Sequence, residues 1–336
     1  MKHMRTAVAL MVTGLVFLSL APAWLWGIGP TFIKLPGNLD ADTVYNGKLT
    51  MYADRITTKL YPPGQEVVTP LVIRARDRAV PSRSTSSLLV LDERVVIRNS
   101  STGLVQEGLR PGATYVLDRK TCENVPGVVK GIDRTGYTVT FPIGSKKVDY
   151  PIWDDDLQKS IFAEYQETTT LESSRGKKVG VYVYRMPGEM DKMAVPPPGS
   201  PASVTGKQIK QMTGRSDLPI ADGSVTQLEY YKKTQSTSYV EPSTGMVVNV
   251  QDYSYEYYVK NAPGQMPPYI KLARVEYGRA AGSSKVDVDT SARYARLIDL
   301  DMRWTPVSFL VTGIVLLALG VVTSVRARRR KLTAGL

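Results

Sequence analysis

Two uncharged apolar runs frame the chain, and the residues between them alternate in shorter stretches. From Ala7 to Trp26 the sequence reads AVALMVTGLVFLSLAPAWLW, 20 residues without a charge. As a helix this run is about 30 Å long, enough to cross a hydrocarbon core. Val307–Val325, VSFLVTGIVLLALGVVTSV, repeats the pattern near the other end. Trp24, Trp26 and Trp304 stand where an interfacial aromatic belt belongs. Gly313 and Gly320 can support close helix packing, but no GxxxG spacing accompanies them. The first run also admits a second reading, a signal peptide cleaved at Ala21-Pro22-Ala23. It continues past that site, which favours a retained anchor.

Between these runs, stretches rich in Val, Thr and Tyr are punctuated by Gly, Pro, Asn and Asp, the pattern of strands and turns. The clearest predicted strands are Leu88–Asn99, Thr138–Ile143, Val179–Arg185, Met246–Val259 and Ile270–Tyr277. Helical patterns are confined to Thr205–Met212 and to Thr290–Met302, where Thr290 reads as a cap. Pro-rich Met186–Ser203 reads as a long loop. The expected architecture is a mainly β extracytoplasmic region between two transmembrane α-helices. Its parts are an N-terminus at 1–6, a helix at 7–27, and two β-sandwich-like modules at 28–165 and 166–303. A helix at 304–325 and a basic tail at 326–336 complete it.

Charge fixes the expected orientation. The formal net charge is +12, and seven of those charges flank the apolar runs, leaving +5 for everything between. Lys2 and Arg5 precede the first run, while Arg326, Arg328, Arg329, Arg330 and Lys331 follow the second. This is a membrane pattern and not a nucleic-acid pattern. The positive-inside rule places both termini in the cytoplasm and about 280 residues beyond the cytoplasmic membrane.

Composition narrows the chemistry. A single His, His3, excludes Ser-His-Asp triads and His-ligated metal sites in the folded region. A single Cys, Cys122, excludes an intrachain disulfide; it is either a packed thiol or a link to another chain. No phosphate-binding Gly-rich loop is present, and no cofactor or metal is expected. Asp154-Asp155-Asp156 lacks calcium-loop spacing and reads as a solvated turn. In Asp252–Val259, Tyr253, Tyr255 and Tyr257 alternate with polar residues, so period 2 puts three rings on one sheet face. That face is either a wall for a lipid or glycolipid or part of a core. Acidic pairs such as Asp54/Glu66 and Asp217/Asp222 are the residues a carbohydrate-cleaving enzyme would need.

Phe141–Asp154, FPIGSKKVDYPIWD, and Tyr239–Asn249, YVEPSTGMVVN, together with the V-Y-x-Y-R strand at Val181–Arg185, carry a resemblance. With the two terminal helices, they make the chain resemble the actinobacterial PorA-family envelope proteins, a domain of unknown function. The resemblance implies a two-helix membrane protein with an extracytoplasmic domain, and it supplies no catalytic residues. Two spans do not form a channel unaided, and no strands have the membrane-barrel pattern. The expected function is non-enzymatic envelope work: binding a membrane lipid or glycolipid, or scaffolding other envelope-assembly proteins. The alternative is a carboxylate-dependent enzyme acting on envelope carbohydrate.

Overall fold

The computed structural model describes residues 2–53, 60–62, 64–106, 112–128, 133–197, 200–214, 216–260 and 269–333. The chain forms two compact units, Met1–Lys34 with Arg293–Leu336, and Leu35–Ala292.

The first unit is an antiparallel helix pair. Helix α1 (Lys2–Ala23) continues through a π turn at Trp24–Ile28 into α2 (Gly29–Phe32), and a second π turn at Leu300–Trp304 leads into α5 (Thr305–Thr333). Both helices bury a residue every seven positions, Ala7, Gly14 and Ala21 against Pro306, Gly313 and Gly320. A seven-residue stripe of small residues lets helix backbones approach closely in lipid. The contact is tight, since a Cβ on Gly14 would lie 2.8 Å from the Gly313 carbonyl oxygen. The heptad spacing does what a GxxxG motif does elsewhere. Both helices are long and apolar enough to cross a membrane.

The second unit is built on one sheet. Its strands are β1 (Asp40–Met51), β2 (Val67–Ala79), β3 (Leu88–Asn99), β4 (Thr114–Asp118), β5 (Tyr150–Asp154), β6 (Lys159–Glu172) and β7 (Lys178–Lys192). After a small hairpin, β8 (Ser203–Thr205) and β9 (Val225–Gln227), come β10 (Tyr230–Val240), β11 (Val247–Lys260) and β12 (Tyr269–Arg279). All but the hairpin join a ten-stranded antiparallel sheet in the order β4-β3-β2-β1-β12-β11-β10-β7-β6-β5.

The sheet curls until its ends meet. The Val125 amide donates to the Val116 carbonyl of β4, and the Asn124 amide donates to the Gly136 carbonyl. Tyr137 then bridges to Ile152 of β5 in parallel, and the ring of hydrogen bonds is complete. Closure removes both sheet edges. Two hydrophobic clusters fill the interior. The first joins Leu89, Leu91 and Leu117 to Phe141, Tyr150 and Tyr184. The second joins Leu71, Ile73 and Ile97 to Met212 of α3 (Gly206–Thr213) and to Tyr255 and Tyr257. Helix α4 (Ala281–Asp299) places Val288 on Val181 and Val248.

The mainly β expectation holds, and opposite walls of the sheet face each other across these clusters as in a sandwich. The division does not: the 165/166 boundary falls inside β6, and strands from both halves share one sheet. Three local expectations change as well. Met186–Lys192, the start of the predicted long loop, instead continues β7 and pairs with β10. Thr138–Ile143 is irregular instead of a strand, because Phe141 is drawn into the barrel and its amide donates to the Gly245 carbonyl. The helix predicted at Thr290 begins at Ala281 instead, so Thr290 is not a cap.

Candidate functional site

A cavity of about 590 Å³ lies inside the barrel. Tyr253 and Ile161 line it and also touch both hydrophobic clusters, which places it between them. One wall is aromatic. Tyr253, Tyr255 and Tyr257 all face the cavity, as period 2 predicts, and Tyr45 and Tyr277 extend the wall onto β1 and β12. Tyr253 stacks on Tyr277 with centroids 4.5 Å apart, and Tyr255 meets Tyr257 edge-on at 5.4 Å. Tyr255 and Tyr257 are buried and Tyr253 is half-buried, so the wall and the core are the same residues. Two bulges in β11, opposite Gln235/Thr237 and Tyr239/Val240, each insert one residue. They hold Val247 and Val250 on the tyrosine face, where strict alternation would separate them.

The neighbouring wall is charged. Lys232, on β10, is 6% exposed and donates to both Asp154 oxygens at 2.9 and 2.8 Å. It also pairs with Asp156 at 2.7 Å and lies 5.4 Å from the centre of the Tyr255 ring. Burial opposes its ammonium, but the charges of Asp154 and Asp156 prevail and hold the Lys232 pKa above its ordinary value. Thr234 donates to Asp154 at 3.1 Å, and the Tyr257 hydroxyl donates to Asp156 at 3.2 Å. Burial first, then Tyr255 and Asp156, push the Tyr257 hydroxyl well above the usual tyrosine range. Asp155 takes Arg134 at 2.6 Å and the Trp153 indole at 3.0 Å.

The three aspartates therefore do not form a solvated turn. The turn exists, capped by Asp154 accepting from the Asp156 and Leu157 amides, but its carboxylates point at three different partner sets. The groups that sequence reading missed are Lys232 and Arg134. Lys232 occupies an inward position of an alternating strand, which marks it as unusual, but its partner lies 78 residues away. No group of residues able to hold a metal ion occurs among the described residues. Glu66, Asp217 and Asp222 do not line the cavity. Asp222 pairs instead with Lys210 at 2.8 Å, and Asp54 lies outside the described residues. Cys122 is fully buried, and burial pushes its thiol up to about 11.

The predicted interface residues separate in the structure. Trp26 is 84% exposed and Trp304 57%, both ready for a lipid boundary. Trp24 turns into the helix pair, donating to the Asp301 carbonyl at 3.0 Å and stacking on Phe32. Arg326, Arg328 and Arg329 are exposed on α5, which also carries Arg330, whose side chain lies outside the described residues.

The two blocks that carry the family resemblance pack together. The Ser145 amide of the first donates to the Pro242 carbonyl of the second at 2.8 Å, and the Phe141 amide donates to the Gly245 carbonyl at 3.0 Å. Gly245 has a φ of +73°, and a Cβ there would lie 2.2 Å from the Phe141 carbonyl oxygen. Fold and cavity define a β-rich protein with two apolar terminal helices and a polar-aromatic interior site. The chain belongs to the family described as Porin PorA, which matches residues 6–322. No match was found among curated proteins. Family membership and the apolar helices make it a membrane protein and favour a non-catalytic role.

Proposed function

We propose that the protein binds the polar head of a lipid or glycolipid in the barrel cavity, on the outer side of the cytoplasmic membrane. The observation that carries this reading is the cavity itself. Its volume, about 590 Å³, lies within the range of small-molecule sites. Its tyrosine wall offers ring faces and hydroxyls, and Thr234 and Ser236 on the adjacent strand β10 add further hydroxyls. Such a surface suits a hydroxyl-rich group such as a sugar. The carboxylates of Asp154, Asp155 and Asp156 are engaged by Lys232 and Arg134, an arrangement suited to holding shape and accepting hydrogen bonds. The barrel exterior supports binding over conduction: Arg74, Arg76, Arg78, Arg94 and Arg98 are exposed on β2 and β3, where a membrane barrel presents apolar residues.

The test is mass spectrometry of lipid co-purifying with the full chain, compared with Tyr253→Ala. Recovery of a glycolipid or lipid from the unaltered protein, reduced at least fivefold in a folded Tyr253→Ala protein, is expected. Equal recovery from both defeats the reading. The orientation predicts that a reporter active only outside the cytoplasm stays silent when fused after Leu336.

A further inference from the structure

We infer that Arg279 forms an anion subsite at one end of the cavity, taking a phosphate or carboxylate group. The inward positions of β12 run Ala273, Val275, Tyr277 and Arg279, so the aromatic face ends in a guanidinium. Tyr277 stacks on Tyr253 and meets Tyr45 edge-on at 5.3 Å, and Tyr45 pairs with Arg279 across the strands. Lys232 stands opposite Tyr257, and Tyr257 opposite Ala273, six residues before Arg279. The two cations are therefore about 20 Å apart along the strand direction. The carboxylates lining the cavity also lie elsewhere: Asp154, Asp155 and Asp156 beside Lys232 and Arg134, and Asp77 opposite Glu93, in register with Ala41, four residues from Tyr45.

The Arg279 side chain is only 7% exposed, and its two edges are used unequally. Nη1 donates to the Val247 carbonyl and lies 2.9 Å from the carboxylate of Asp287 on α4. Nε and Nη2 form the other edge of the planar group. Nε has no hydrogen-bond partner among the described residues, and Nη2 reaches the Tyr45 hydroxyl at a long 3.4 Å. Tyr45 lines the cavity and Asp287 does not, so the underused edge is the one turned inward. A buried N–H without an acceptor is unfavourable, and a ligand oxygen relieves it. A guanidinium keeps its charge when buried, and its fork matches two oxygens of a carboxylate or phosphate. The other cavity cations are already engaged, Lys232 by Asp154 and Asp156 and Arg134 by Asp155 and the Thr114 carbonyl. Asp287 is 20% exposed, so solvent weakens its hold on Arg279. The inference rests on the head-group reading above for its ligand and adds an acidic group to that head.

The test is calorimetric titration of the full chain in detergent with three probes: dihexanoyl phosphatidic acid, dihexanoylglycerol and inorganic phosphate. The unaltered chain is expected to bind the phosphatidic acid at least tenfold more tightly than the uncharged diglyceride. Arg279→Gln should abolish that preference, and Arg279→Lys, which keeps the charge but not the fork, should retain part of it. Asp287→Asn removes the competing carboxylate and should tighten phosphatidic acid binding at least twofold, an effect that a purely structural Arg279–Asp287 pair does not produce. The inference is overturned if the unaltered chain shows no preference for the phosphate, if folded Arg279→Gln keeps the preference, or if Asp287→Asn fails to strengthen binding. Equal, Tyr253-dependent binding of both lipids overturns the subsite alone and leaves the head-group reading standing. Inorganic phosphate binding as tightly as the lipid, with the same dependence on Arg279, supports the subsite and assigns it to free phosphate, against the head-group reading.

Discussion

The aromatic wall and the charged wall enclose the same cavity but hold it open by opposite means. Tyr253, Tyr255 and Tyr257 are near neighbours on one strand, each supported by rings beside it. Their contribution is burial and ring contact, spread over many small terms that degrade gradually. The charged wall concentrates its contribution in one ammonium between two carboxylates, joining the turn after β5 to β10. Such a group is balanced while complete and costly once a partner is missing, because the remaining charges stay buried.

The largest effect should come from breaking the charged wall. Lys232→Met leaves Asp154 buried without its cation, and a loss of about 3–5 kcal/mol is expected in denaturant unfolding of the full chain followed by near-UV circular dichroism. Adding Asp154→Asn should recover part of it, since Asn retains an oxygen for the turn amides. A loss below about 1 kcal/mol in Lys232→Met alone would show that water already reaches the pair.

Next comes the aromatic wall, where position should matter within three adjacent inward rings. Tyr255→Ala is expected to cost about 3 kcal/mol, as for a core aromatic. Tyr253→Ala, half-buried and facing the cavity, should cost about half as much while losing more bound lipid. If Tyr255→Ala proves milder than Tyr253→Ala, the wall and the core are different residues from those assigned.

Alkaline pH should separate the walls more subtly. The Lys232 pKa is raised in the folded protein, so its contribution is fully present below the ordinary lysine value and is lost as pH rises through the folded one. Tyr257, also raised, works in the same direction from the ordinary tyrosine value upward. Above pH 10.5 the unaltered chain should therefore lose stability more steeply than Lys232→Met, by at most one proton, about 1.4 kcal/mol per pH unit. Parallel slopes would mean that Lys232 does not carry its proton through folding.

The smallest effect is expected from an ion-pair set of similar composition on the surface. Glu229 is paired with Lys192 and Lys260, whose hydrogen bonds bring its pKa down to about 2. Any stability it adds is present above the ordinary glutamate value and fades as pH falls toward about 2. Because both partners are exposed, Glu229→Gln should leave the unfolding midpoint at neutral pH unmoved. A shift comparable to that of Lys232→Met would show that burial is not what distinguishes the charged wall.

Much of the secondary structure was legible. Leu88–Asn99 is β3 residue for residue, and the helix predicted at Thr205–Met212 is α3, which Thr205 caps through a box with Gln208. The tyrosine face was legible because Tyr253–Tyr257 contains no bulge, so period 2 holds across it. The packing of the helix pair was less so, since the seven-residue stripe becomes meaningful only when Gly14 and Gly313 are seen to meet.

The sequence by itself determined two membrane-length helices, a β-rich middle and one face of three tyrosines, because hydropathy and alternation are local properties of a chain. Tertiary structure decided that the strands make one closed sheet instead of two modules, since closure depends on bonds such as Asn124 to Gly136 and Tyr137 to β5. It also decided that Asp154, Asp155 and Asp156 pair with Lys232 and Arg134, with Asp154 buried away from water. No local pattern encodes that pairing. A carboxylate in a turn looks the same in sequence whether its counter-ion is solvent or a lysine 78 residues away, and only the fold brings that lysine within 3 Å.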